Sequence, residues 1–441
     1  MTIGMIRWEI TNKCDLECKH CFIDDNAHSR EDLSVTQNIE LLNRLVKLGV
    51  RKIVFSSKEP LIYEDLDKLI YECEKRNIKT EIVTNGIQLS NEDFAKKLLK
   101  TSISSIYLSM EGITAKTNDF IRGEGSFDKI IESIKHIKAH SNVYLGIQMI
   151  ISSQNIMDSV RIPDFFNKLG IDSLSIGGIS LQGNAINNVD IIPTARDYSD
   201  AQEQIVIAYN NLPNKTFQLH LKSSYPIETA YLNLRTGSRF LPYIPKCSVL
   251  SDNFSLMNDG RLIPCISILN SNYFSNMLFE VDLHNSEIFP DVTMMKSEIQ
   301  DYIMRKRPIT CSKCHFNEVC LPCPMIYESG DGAEQCRVAT RRFDDILKEA
   351  IDIDCAFITL NDNLVVSVLQ EKINIKIYDC NNNYIETSWI KSTLNINFLE
   401  HILDVNTMRM SDLVTMIGSK NKTLKVLRVW ILDNIIRLEG W

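Results

Sequence analysis

Three cysteines, Cys14, Cys18 and Cys21, fall in the run CDLECKHC. Three thiolates this close along the chain can wrap one metal cluster, and iron–sulfur clusters are held by Cys thiolates. Three ligands leave one iron of a four-iron cluster without a protein donor. An open coordination position is where a small molecule binds, as at catalytic zinc. Zinc itself is the plain alternative at this spacing. A second group, Cys247, Cys265, Cys311, Cys314, Cys320, Cys323 and Cys336, contains paired C-x2-C elements that also suit a zinc ribbon. Taken alone, that group admits either metal.

Disulfides do not account for these thiols. The chain starts without the basic-then-apolar pattern of a secretory signal and carries no run of ~18 apolar residues, so a cytoplasmic protein with no membrane partner is expected. The cytosol keeps thiols reduced, and a chain of 441 residues buries enough core to do without staples. Hydrophobic residues at 44% and charged residues at 24% exclude disordered, collagen-like and coiled-coil classes. The 48 Lys and Arg against 56 Asp and Glu, a net charge of −8, argue against a broad nucleic-acid face.

The elements that must position the first cysteines read as repeated βα units. Strands are expected at 6–10, 52–56, 80–84, 105–109, 143–151 and 173–176. Ser34 and Gln37 form a capping box that opens a helix reaching Gly49. Leu66, Leu69, Ile70 and Cys73 recur at helical spacing, as do Phe127, Ile130, Ile131, Ile134 and Ile137. Cys73, on an apolar face, is expected in the core. Six such strands suit an open doubly wound sheet or a partial barrel, and both put their chemistry at the C-terminal strand ends. The triplet directly follows the first strand. Further on, a helix is expected over 198–212, and Asn258-Asp259-Gly260 between two apolar runs reads as a tight hairpin carrying Cys247 and Cys265 on one ribbon. Three strands at 355–360, 364–369 and 373–378, then helices at 398–405, 411–417 and 424–438, suggest a small C-terminal α+β unit.

The C-x3-C-x2-C spacing, followed by Phe22 and placed after the first strand of a βα series, resembles the radical S-adenosylmethionine (radical SAM) superfamily. The resemblance implies a partial (β/α)6 TIM-like barrel. It also implies a [4Fe-4S] cluster on Cys14, Cys18 and Cys21 that binds SAM and cleaves it to a 5′-deoxyadenosyl radical. Ser57-Lys58-Glu59-Pro60 stands where the family has Gly-Gly-Glu-Pro, so Glu59 would take the SAM ammonium. Ser109-Met110-Glu111-Gly112 and Arg122-Gly123 resemble its Ser-Leu-Asp-Gly and Arg-Gly, making Ser109 and Arg122 candidates for the SAM carboxylate. Phe22, and Thr84 with Asn85 after the third strand, complete the implied SAM contacts. Lys19 and His20 are expected to be solvated loop residues.

The late cysteines are similar to the SPASM domain of that superfamily, with two residues in place of three between Cys320 and Cys323. By that likeness Cys247, Cys265 and Cys323 would hold one auxiliary cluster, and Cys311, Cys314, Cys320 and Cys336 a second. Cys73, Cys355 and Cys380 stay unassigned. The implied domains are a radical SAM partial barrel over 1–212, a SPASM region over 213–345 and the α+β unit over 346–441. The last resembles the winged-helix element with which peptide maturases bind a leader peptide by strand addition. The function implied is hydrogen abstraction from a ribosomally made precursor peptide, giving a thioether or carbon–carbon crosslink or an epimerised residue, with flavodoxin or ferredoxin as electron donor. Alternatives are a sulfatase-type protein maturase, disfavoured because Ile266 rather than Asp follows Cys265, an enzyme oxidising a small molecule, and a zinc-stabilised winged-helix binding protein. The 391–441 segment shows no basic stripe, so no nucleic-acid partner is expected.

Overall fold

A computed structural model describes residues 3–23, 31–222, 225–238, 247, 250, 252–267, 281–282, 292–307, 311, 314–316, 320, 332–352, 357–360, 364–368, 372–378, 384–390, 407–432 and 436–439. By internal packing the chain forms two units, the first centred on 1–222 and 245–307, the second drawn from 223–244, 308–320 and 333–441.

The first unit is a mostly parallel sheet. Its strands are β1 (Met5–Trp8), β2 (Lys52–Phe55), β3 (Lys79–Thr84), β4 (Ser105–Ser109), β5 (Tyr144–Ile151), β6 (Ser173–Gly178), β7 (Gln218–Leu221), β8 (Asn253–Leu256), β9 (Arg261–Ile263) and β10 (Val281–Asp282). Their order is β10-β9-β8-β1-β2-β3-β4-β5-β6-β7, parallel from β8 through β7. All six expected strands form, and the sheet runs on past both ends of that set. The hairpin forms as expected, Leu256 pairing with Leu262 around a Gly260 at φ 87, where a side chain would be strained. Its first strand then docks beside β1 in parallel, Arg7 opposite Ser255. That docking depends on partners about 250 residues apart, which no local pattern encodes.

Alternation along the strands sorts the residues into two faces. Ile6, Trp8, Ile53, Phe55, Ile82, Ile106, Leu108, Ile147, Met149, Leu174 and Ile176 are all fully buried, and Trp8 stacks on Phe55 with ring centroids 5.8 Å apart. The register places the other set, including Arg7, Glu81, Tyr107, Ser109, Gln148, Ser175 and His220, on the opposite face. The apolar side is the one the crossover helices cover. Among these, α1 (Val35–Lys47) opens on the expected capping box, Ser34 Oγ accepting from the Gln37 N–H and Gln37 Oε1 from the Ser34 N–H at 2.9 Å. A cap of this kind contributes about 1 kcal/mol. In α2 (Leu66–Lys75) Leu66, Leu69, Ile70 and Cys73 are buried, so Cys73 is a core residue. The remaining helices of the barrel are α3 (Glu92–Leu98), α4 (Ala115–Arg122), α5 (Ser126–His140), α6 (Ile162–Leu169) and α7 (Ala195–Asn210).

The second unit contains α8 (Pro226–Thr236) and α10 (Gly332–Asp352), the latter continuous across 345–346; α9 (Val292–Lys306) belongs to the first. Beyond α10 come two antiparallel three-stranded sheets. One orders β15 (Thr407–Arg409), β11 (Phe357–Leu360) and β16 (Ile436–Glu439); the other orders β12 (Leu364–Val368), β13 (Lys372–Tyr378) and β14 (Tyr384–Ile390). The order differs from the expected three strands and three helices. A fourth strand forms at Tyr384–Ile390, and 424–438 divides into α12 (Lys420–Leu432) and β16, whose Ile436, Arg437, Leu438 and Glu439 alternate with the period of two that suits a strand. The helix expected at 411–417 forms as α11 (Met410–Ile417), and the one expected at 398–405 lies outside the described residues. Among the described residues no helix is long and apolar enough to cross a membrane.

Candidate active site

The Cys14–Cys21 loop leaves the C-terminal end of β1 and is tied down in part through its backbone. The Lys19 N–H donates to the Ile121 carbonyl at 2.9 Å, the Cys21 N–H to the Cys18 carbonyl at 3.1 Å, and Asn184 Nδ2 to the Cys18 carbonyl at 3.3 Å. Gly183, after β6, has φ +55 and sits so close that a Cβ there would lie 2.6 Å from the Cys21 carbonyl oxygen. Only glycine lets the two backbones approach this far.

Glu59 follows β2 and is buried. Its carboxylate accepts from Thr84 Oγ1 at 2.6 Å, the Asn85 N–H at 2.7 Å and the Leu61 N–H at 3.0 Å. A carboxylate has about four lone-pair positions, so three donors leave one for a cation. Burial pushes its pKa up to about 7, against the pull of the three hydrogen bonds. Thr84 and Asn85 are therefore engaged in holding Glu59, and Asn85 Nδ2 also donates to Asp15 at 2.6 Å. Ser57, two residues earlier, has φ 93.

Arg122, from α4, is also buried, and its Nη1 lies 3.1 Å from Glu111 Oε1. The same oxygen lies 3.1 Å from His20 Nε2, and Glu111 Oε2 accepts from the Ile150 N–H at 2.7 Å. Burial alone would raise the Glu111 pKa; His20, Arg122 and the amide outweigh it and hold the carboxyl below its ordinary range. This corrects the solvated role expected for His20, which is anchored on Glu111 because the sheet brings together residues distant in sequence. Lys19 is no free solvated residue either, its Nζ lying 3.4 Å from the centre of the Phe120 ring. Glu111 and His20 were missed as site residues. The one available signal was that Glu111 stands inside the motif that marked Ser109.

These groups converge. A cavity of about 580 Å³ is lined by Cys14, Cys18 and Cys21, and by Phe22, Glu59, Thr84, Asn85, Ser109 and Arg122. Burial raises the thiol pKa of Cys14 to about 11 and also that of Cys18, which the Arg122 charge pulls back. In its wall His20 Nδ1 and Arg122 Nε are buried and make no hydrogen bond among the described residues. Orphaned buried polar atoms are costly and call for a partner. Three thiols, one spare carboxylate position and two unfilled nitrogens form a donor set suited to an iron–sulfur cluster with a zwitterionic ligand.

The late cysteines divide between the two units. Cys247 and Cys265 are in the first, and Cys311, Cys314, Cys320 and Cys336 in the second. Cys336 is half-buried, and burial, with the charges of Cys314, Glu228, Cys311 and Cys320 around it, pushes its thiol up to about 12. The other three thiols of this group thus all act electrostatically on Cys336. Cys323, Cys355 and Cys380 lie outside the described residues. Among the described residues no three His, Cys, Asp or Glu side chains close on a single metal ion. A cubane cluster instead holds its cysteines apart around a volume.

A curled parallel sheet whose first strand feeds a three-cysteine loop into a polar cavity defines the class. Residues 8–161 match the family described as the Radical SAM superfamily. The Fe-coproporphyrin III synthase of Methanosarcina barkeri is 30% identical over 343 residues, covering 72% of this chain and 82% of that protein. The chain belongs to the radical SAM superfamily and is an enzyme of that class; membership implies a 4Fe-4S cluster and SAM. It also resembles the mycofactocin maturase MftC of Mycobacterium tuberculosis, 27% identical over 151 residues, a match that spans 34% of this chain and only 38% of that relative. Streptococcus suis SuiB bound to its precursor peptide SuiA shares the fold, with a TM-score of 0.54 at 20% identity over 73% of this chain and 72% of that one.

Proposed function

We propose that this enzyme matures a ribosomally made precursor peptide, removing hydrogen from one residue to form a crosslink or invert a stereocentre. The observation that carries the reading is the convergence of the cysteine triplet, Glu59, Ser109 and Arg122 on one cavity, in a chain similar to a mycofactocin maturase and to the fold of a peptide-binding enzyme.

Cys14, Cys18 and Cys21 would hold the cluster. Glu59 would take the SAM ammonium with its remaining lone pair, and Ser109 with Arg122 Nε the carboxylate, while Glu111 keeps Arg122 aligned. Together the cluster and SAM supply a carbon-centred radical able to abstract hydrogen from an unactivated carbon. Cys247, Cys265 and Cys323 would hold one auxiliary cluster and Cys311, Cys314, Cys320 and Cys336 another, a division supported by the electrostatic action of the other three thiols on Cys336. A flavodoxin or ferredoxin is the proposed reductant. The C-terminal sheets offer edge strands to which a leader peptide could add.

The test is anaerobic co-expression with each short reading frame flanking the gene, followed by intact mass and deuterium uptake of the peptide. Loss of two hydrogens establishes a crosslink; unchanged mass with one solvent deuterium establishes epimerisation. No change in any peptide defeats the reading. A second reading, a small-molecule substrate, is favoured by the longer match to the Fe-coproporphyrin III synthase, and the same cultures analysed for altered tetrapyrroles would reveal it.

A further inference from the structure

Two cations of the barrel interior are unaccounted for by the site above. Arg7, on β1, lines the cavity. Lys222 directly follows β7, its N–H continuing the ladder by donating to the Ile176 carbonyl at 2.7 Å. The register puts His220, and hence Lys222 two residues on, on the face shared with Ser175 and Gln148, which is the cavity face. Five strands separate β1 from β7 in the sheet order, yet Arg7 on β1 and Gly178 at the end of β6 line one cavity, and Arg7 acts electrostatically on Lys222. The sheet therefore curls enough for β1 and β6 to border the same interior. Both side chains are reached by solvent while surrounded by protein.

Neither cation forms an ion pair with an acid among the described residues, and three carboxylates of the sheet are held by other groups. Glu81 lies 2.8 Å from Lys52, Glu111 is held by Arg122 and His20, and Glu59 is saturated but for one position. Burial, and then the Arg7 charge, lowers the Lys222 amine to about 8, and burial lowers Arg7 as well. Two like charges set near each other without a counter-ion repel, each disfavouring the other's charged form. Gly177 packs beside Lys222: a Cβ there would stand 3.9 Å from Lys222 Cβ and 3.3 Å from Ile150 Cδ1, the latter closer than an ordinary contact.

We propose that Arg7 and Lys222 form a carboxylate-binding subsite in the barrel interior that holds an acidic group of the substrate beside the reacting cavity. Arg7 offers a planar fork matched to a carboxylate and Lys222 a point charge from the end of β7. The subsite deepens the peptide-maturase reading and rests on it in naming that group as a Glu or Asp side chain. The competing role for Arg7 is to balance Cys265, whose charge also acts on it.

The test measures binding of three probes to the anaerobic, cluster-loaded protein: fluorescein-labelled hexaglutamate, the same label on hexaglutamine, and coproporphyrin III, a fluorescent tetracarboxylate. The proteins are wild type, Arg7→Gln/Lys222→Gln, and the charge-conserving Arg7→Lys/Lys222→Arg. The expected result is salt-sensitive hexaglutamate binding that weakens at least tenfold in the neutral variant, is largely kept in the charge-conserving one and is absent for hexaglutamine, with iron content and SAM affinity unchanged. If only coproporphyrin III shows this dependence, the subsite stands and the peptide reading falls. If neither carboxylate probe distinguishes wild type from the neutral variant, or if that variant loses iron, the subsite is overturned.

Discussion

Single residues at this site carry opposing demands. Ser57 occupies φ 93, where the family's motif has glycine, and a side chain in the left-handed region costs about 1 kcal/mol or more. Ser57→Gly should therefore raise stability by about 1 kcal/mol, seen as a higher urea midpoint at unchanged slope. Glu59 makes a second demand. Its carboxyl, pushed by burial from an ordinary 4.5 to about 7, binds its proton more tightly folded than unfolded. A raised acid stabilises the fold below 4.5, and that contribution is lost as pH rises through about 7. The cofactor-free protein should thus lose melting temperature between those values, and Glu59→Gln should flatten the profile. A wild-type profile already flat there would contradict the burial argument. Much at this scale was legible in advance. The three cysteines, Glu59, Thr84, Asn85 and Ser109 line one cavity from short motifs at strand ends, and Arg122 joins them from the end of α4. The Glu111 anchor for Arg122 and His20 was not legible, because that pairing exists only once the sheet brings the loops after β1 and β4 and the end of β5 to one cavity.

At the scale of elements, the turn after β6 shapes the cysteine loop. With a Cβ at Gly183 only 2.6 Å from the Cys21 carbonyl, Gly183→Ala must move one backbone or the other. Iron per chain should fall severalfold while the far-ultraviolet circular dichroism stays native; full iron loading would show that the loop tolerates displacement. Strands β1 to β6 were legible from apolar runs and turn residues. By contrast β7 was not, its Gln218-Leu219-His220-Leu221 being short and half polar, and the docking of β8 on β1 is written in no local pattern. The C-terminal helix expected over 424–438 ended early, where alternation replaced helical spacing.

For the molecule as a whole, the proposed function makes activity depend on the cysteine triplet. Cys14→Ala, Cys18→Ala or Cys21→Ala should abolish 5′-deoxyadenosine formation from SAM, and turnover persisting in any of them would remove the triplet from the chemistry. Cys336→Ala should cost part of the iron yet leave SAM binding intact, read by iron analysis beside equilibrium dialysis. The division of the sheet's two faces reaches further. Ile106, Leu108, Ile147 and Met149 are fully buried on one side, and Ile106→Ala there should cost about 2–5 kcal/mol. The other side holds Arg7, Gln148, Ser175 and His220, whose exchange for residues of similar size should move the melting temperature little. Folding information and chemical identity are thus written on opposite sides of the same ribbon. Such a scaffold can be re-addressed to a new substrate by rewriting its inner surface, with little threat to the one that keeps it folded.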